Sequence, residues 1–215
     1  MARNIIIILL FIICPVGAEI NNPLKLKGPE QYGVFFINQK PPEYLEDYYQ
    51  LYAERLCYNE EDIRLNVYFL EKGLRSSFRH PSKALCLLRN EQEGKKYKNL
   101  IIMHMYLKIM QNYLTLAHQY DKKEIYYFNL DFRDDIKKSF ATAKYYYNLA
   151  RDYWKKVLAY AEKAGRTNAM TAWDHLENEL YLILNRDQEV DWDYDYTISL
   201  HLNVLEANLK QLDRK

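Results

Sequence analysis

Through most of the chain apolar residues return at three- and four-residue steps, the spacing that lines one face of an α-helix. Pro41-Pro42 opens the first such segment, with Leu45, Tyr48, Tyr49, Tyr52 and Leu56 on its stripe, since proline is tolerated in a first helical turn. Asn59 is placed to cap a second, with Glu60, Glu61 and Asp62 at the positive end of its dipole and Ile63, Val67, Leu70 and Leu74 inward. A short third follows Pro81 and carries Leu85, Cys86 and Leu88. The fourth runs from about Lys95 to Tyr120, with Leu100, His104, Leu107, Met110, Tyr113, Leu114 and Ala117 on one side. In the fifth, Ile136, Phe140, Ala143, Tyr147, Ala150, Trp154, Val157, Ala161 and Ala164 hold a strict seven-residue period up to Gly165, a suitable C′ residue. Thr167 or Asn168 suits the cap of a sixth, bearing Met170, Trp173, Leu176, Leu180 and Ile183. The seventh follows Thr197 with Ile198, His201, Leu202, Leu205, Leu209 and Leu212.

Proline and glycine sharpen this reading. After Pro81 there is no proline, and the only glycines are Gly94 and Gly165. A span so poor in breakers has to be largely helical. Residues 19–42 differ: Pro23, Pro29, Pro41, Pro42, Gly28 and Gly33 surround a short apolar run, Val34-Phe35-Phe36-Ile37. The expected fold is all-α, an array or bundle of about seven helices in a single domain over 43–213, behind an irregular arm over 19–42.

Residues 1–18 read as a secretory signal peptide. Arg3 supplies a basic leader, Ile5 to Ile13 is unbroken apolar sequence, Pro15 breaks it, and Val16-Gly17-Ala18 is a small-residue exit. The stretch from Ile5 to Ala18 is shorter than the roughly 20 residues a spanning helix needs; an uncleaved anchor or a buried N-terminal helix is the alternative. Cleavage after Ala18 leaves a periplasmic or secreted chain with no spanning segment. Cys14 stands where a bacterial lipoprotein carries its acylated cysteine, but Ile13 and Pro15 flank it poorly for that processing. In an oxidising compartment the remaining pair, Cys57 and Cys86, is open to a disulfide or to two buried thiols.

Composition narrows the function classes. Of 215 residues 49% are hydrophobic, with 30 basic and 29 acidic side chains and a net charge of +1. This excludes a disordered chain and gives no bulk attraction to nucleic acid or to an anionic membrane. The 21 tyrosines exceed what a small core hides with satisfied hydroxyls. Tyr145, Tyr146, Tyr153 and Tyr160 lie off the heptad seam and are candidate partner contacts, as are Trp192 and Tyr194. The opposing reading is an aromatic outer face with polar tips in water.

Local motifs for chemistry are missing. No two of His80, His104, His118, His175 and His201 are spaced i,i+4, so no zinc helix is written. His104 and His201 fall on apolar stripes, where a hydrogen-bonded core histidine is the default; His118 and His175 face solvent or a groove. Asp191-Trp192-Asp193-Tyr194-Asp195 starts like a calcium loop, but Tyr196 stands where glycine is needed and Leu202 where a bidentate glutamate is needed. A helix connection capped by Asp195 or Thr197 fits better. Lys95, Lys96 and Lys98 read as a solvated helix face. No catalytic, cofactor or metal residue is assigned.

Ala143-x-x-x-Tyr147-x-x-Ala150 resembles the second helix of a tetratricopeptide repeat. The segment before it, Tyr127 to Asp134, lacks the pattern of a first helix, and no proline closes the unit. The resemblance implies helical hairpins over 43–213. In overall character the chain is also similar to periplasmic scaffold proteins of spirochaetes, including those of the flagellar collar. The expected function is a non-enzymatic, exported scaffold or adaptor for protein partners, able to form homo-oligomers. A bundle holding an apolar or aromatic ligand among Met103, Met105 and Met110 is the alternative, and a hydrolase without a local signature comes third.

Overall fold

The computed structural model describes residues 41–121, 130–188 and 190–213. The leader with Cys14, and the arm up to residue 40, lie outside the described residues. What is described is all-helical, with no strand. α1 (Leu45–Tyr48) passes directly into a π turn, Tyr49–Ala53. α2 (Glu60–Leu74), α3 (Glu91–Tyr120), α4 (Arg133–Gly165), α5 (Asp174–Leu184) and α6 (Tyr194–Asp213) follow, with single 3₁₀ turns at Pro81–Lys83, Leu130–Phe132 and Val190–Trp192. That is six α-helices against the seven expected.

The missing helix is the one after Pro81. A single 3₁₀ turn forms, capped by His80, and Ala84 is already extended. Leu85 N–H then donates to Tyr97 Oη, so a side chain of α3 takes the donor that a helix would have used. Capping decides the other starts. Asn59 accepts from Asp62 N–H as expected, while Asn90 accepts from Glu93 N–H and starts α3 four residues early. Asp193, rather than Asp195 or Thr197, accepts from Tyr196 N–H at the head of α6. The 168–173 stretch stays irregular. The buried ion pair of Lys96 with Glu177 (2.7 Å) and the Lys96 bond to the Ala169 carbonyl tie it to α3, so Lys96 is no part of a solvated face.

α3 and α4, about 45 and 50 Å long, form the most extensive contact and make the spine. Burial on α3 spreads beyond the expected stripe: Ile101, Met105, Ile109 and Leu116 join the expected Leu100, Leu107, Met110 and Ala117, and no residue from 99 to 114 is exposed. α1 and α2 cover one flank; α5 also reaches α3, and α5 and α6 pack on α4. The heptad seam of α4 is core throughout, from Ile136 to Ala164. One contiguous core among the described residues runs from Leu45 to Leu212.

Two glycines mark close approaches. A Cβ on Gly73 would stand 2.5 Å from Tyr48 Cβ and 2.8 Å from Met105 Cε, so α1 approaches α2 this closely because residue 73 has no side chain. Gly165 is the last residue of α4 and the C-cap is Arg166 in right-handed conformation. It therefore acts through space for Leu184 Cδ1, 2.9 Å from an added Cβ, rather than as a left-handed C′ residue.

Candidate functional site

The spine carries two histidine–carboxylate groups on α3, at His104 and at His118, fourteen residues apart. His104 is 1% exposed. Its Nδ1 lies 2.8 Å from Glu179 Oε2, and its Nε2 lies 2.8 Å from Glu54 Oε1. Only a ring protonated on both nitrogens donates to both carboxylates. Burial opposes charge on this ring, but the bonds to Glu179 and Glu54 outweigh it and hold the pKa above its ordinary 6.5. The bond from His104 in turn holds the Glu54 carboxyl down at about 2, aided by Lys108 at 3.3 Å.

Each partner is placed by a local feature. The π turn ends at Glu54 and turns Tyr49, Tyr52 and Ala53 into the core, which leaves Glu54 at the edge over α3. Tyr49 packs on His104 and on Trp173. His175 and Glu179 are one turn apart on α5, and the exposed His175 ring meets His104 edge to face, centroids 5.4 Å apart. One ligand-type atom from each of Glu54, His104 and His175 falls within a 4.8 Å group.

The second group joins His118, Asp121 and His201. Tyr147 Oη donates to Asp121 Oδ2 at 2.8 Å. His118 Nδ1 lies 3.4 Å and His201 Nδ1 3.8 Å from that same oxygen. Tyr147 stacks on His201, interplanar angle 14°. Burial and then the Asp121 carboxylate push the Tyr147 phenol far above its usual range.

The candidate contact residues divide. Tyr146 (1% exposed) and Tyr153 (9%) are core residues, correcting their reading as contacts. α4 buries a second row beside its seam because α3 carries a matching heptad: Tyr106, Tyr113 and Tyr120 face Tyr160, Tyr153 and Tyr146 in antiparallel order. The phenols of this ladder find partners on α2: Arg64 donates to Tyr146 Oη, Tyr153 donates to Glu71, and Tyr120 donates to Glu60. Tyr160 is half-buried under Lys163, and Tyr145 is exposed at the edge of Tyr146. Trp192 and Tyr194 pack inward rather than forming an exposed patch. Tyr194 meets Trp154 edge to face at 5.0 Å, and Trp192 leans on Tyr194. Cys57 and Cys86 are free, partly buried thiols, so no disulfide links them; Met103, Met105 and Met110 are wholly buried in the core.

The exposed apolar surface lies elsewhere. On α6, Tyr196 (60% exposed), Leu200 (50%) and Val204 (37%) stand one turn apart in a single row. On and before α5, Met170, Tyr181 and Leu184 line a shallow groove with Arg166, Asp174 and Asn185. The four-residue steps at 196, 200 and 204 were available in the sequence, hidden beside the stronger stripe that α6 buries.

Fold and site define an all-α assembly around a central helix, with histidine–carboxylate bridges and an aromatic ladder. Residues 92–215 match the family described as a domain of unknown function (DUF8513), and the chain belongs to that family. No curated protein and no solved structure matches the chain. Among the described residues no helix is long and apolar enough to cross a membrane.

Proposed function

We propose that the protein is an exported, non-enzymatic helical scaffold that binds protein partners in a periplasm-like compartment, within an envelope or motility assembly. The observation that carries this reading is the Tyr196–Leu200–Val204 row. An i,i+4,i+8 ridge on an otherwise satisfied helix is the form that packs into a partner's groove or against a second copy of the same helix. The near-neutral charge, +1 overall, favours such apolar docking over steering by charge. The signal-peptide pattern of residues 1–18 supports export.

The test is a photo-cross-linking residue at Leu200 of the full chain in its native envelope, with exposed Glu61 on α2 as control. The scaffold reading expects a discrete adduct from position 200 alone, abolished by Tyr196→Glu together with Val204→Glu. Equal labelling from both positions, or none from 200, overturns it. The hydrolase reading gains from the grouping of His104 and His175 with Glu54 and Glu179. It ranks second because both nitrogens of His104 are taken up by carboxylates, which leaves that ring no lone pair to act as a base.

A further inference from the structure

We propose that Glu54, His104 and His175 form a binding site for a divalent transition metal of the zinc class, with Glu179 orienting His104 from behind. The inference is independent of the scaffold reading.

The donor set comes first. Two imidazoles and one carboxylate, each offering one atom within a 4.8 Å group, are the borderline nitrogen and oxygen ligands that suit Zn²⁺ and its neighbours rather than Ca²⁺ or Mg²⁺. They come from three separate segments, the π turn, α3 and α5, which is why no local motif announces them.

Glu179 supplies the second, separate observation. Metal-bound histidines nearly always donate their other ring N–H to a carboxylate or carbonyl, which fixes the tautomer and aims the free lone pair at the ion. Glu179 is 8% exposed and holds Nδ1 of His104 in that way at 2.8 Å. The opposite nitrogen, Nε2, then points at Glu54 beside His175. In the metal-free protein a proton sits between Nε2 and Glu54 Oε1. A metal ion takes that place and releases the proton to solvent, so His104 becomes a neutral ligand while Glu54 stays a carboxylate.

The surroundings agree with entry and exchange. His104 and Glu179 are buried, whereas the Glu54 side chain is 60% exposed and His175 is exposed. An ion is therefore met first by Glu54 and His175, and one coordination position is left facing water. Lys108 lies on the other oxygen of Glu54, 3.3 Å away, and leaves Oε1 available. The groups facing His104 are thus Glu54, Glu179, His175, Lys108 and the Tyr49 ring.

The experiment is a Co²⁺ titration of the full chain stripped with chelator, read by the visible bands of four-coordinate Co²⁺, followed by competition with Zn²⁺. One equivalent binds and Zn²⁺ displaces it. His175→Ala, an exposed substitution that leaves the fold intact, weakens binding at least tenfold, and Glu179→Gln weakens it about 10- to 100-fold. His201→Ala, in the second histidine group, leaves affinity unchanged. Absence of a bound equivalent, His175→Ala binding like the parent, or loss of binding in His201→Ala instead would each overturn the assignment.

Discussion

Glu179 Oε2 on α5 and His104 Nδ1 on α3 lie 2.8 Å apart, and both residues are buried. The pair ties α5 to the central helix by a charge-assisted bond, beside the Lys96–Glu177 ion pair. Glu54 holds the same ring from the solvent side, so the two carboxylates make unequal contributions. In chelator-treated protein, Glu179→Leu is expected to cost about 3 kcal/mol, the range for breaking a buried pair. Glu54→Gln is expected to cost less than about 1 kcal/mol. Urea unfolding measures both, and equal losses would show that burial does not set the difference.

Space at Gly73 is used up by Tyr48 and Met105. Gly73→Ala should therefore destabilise the fold by about 1–3 kcal/mol through overpacking, even though alanine is the better helix former. Gly94, with nothing within 4 Å of an added Cβ, is the contrasting site. Gly94→Ala should stabilise α3 by a few tenths to about 1 kcal/mol. Thermal melts of the two variants should move in opposite directions.

The tyrosine ladder makes a prediction for single hydroxyls. Tyr153→Phe removes the donor to Glu71 and Tyr146→Phe the acceptor for Arg64; each should cost about 1.5–3 kcal/mol, as bonds to charged groups do. Tyr145→Phe, at an exposed ring, should fall within about 0.5 kcal/mol of the parent. A uniform effect across the three would return these rings to the surface.

Alkaline stability follows from the same rings. In Tyr97, Tyr113, Tyr146 and Tyr153 burial is the largest cause of a phenol pKa held above its ordinary 10; Tyr52 is pushed up to about 12. Unfolded phenols lose their protons first, so stability is full below pH 10 and declines as pH rises beyond it. Tyrosinate absorbance should rise in two stages, the second coincident with loss of helical circular dichroism. A single smooth rise with helicity retained contradicts the assignment.

Burial also pushes the Cys57 and Cys86 thiols up, which lowers the thiolate fraction at neutral pH. Both should label slowly with an alkylating agent and quickly in denaturant. A reductant should leave the unfolding midpoint unchanged.

Periodicity made the long helices legible: α4 has the expected core face and nearly the expected limits. It failed where a side chain overruled the backbone, as at Leu85, whose N–H is taken by Tyr97. It also misjudged faces. Tyr146 and Tyr153 looked peripheral because one seam was already complete, but a helix wedged between neighbours buries more than one seam. His104 was legible as a satisfied core residue. Its partners were not, because Glu54 and Glu179 lie 50 and 75 residues away in sequence, and separations of that size leave no periodic trace.

The burial of α3 between residues 99 and 114 sets a limit on how this protein can be divided. The family match starts at residue 92, which leaves out both α1 and α2, together with Glu54, Glu71 and the Tyr48 ring that closes over Gly73. A fragment cut at that boundary would keep the matched segment but lay Met105 and Tyr97 open along one side. It would aggregate rather than fold. The helices before residue 92 are part of the core and not an appendage to it.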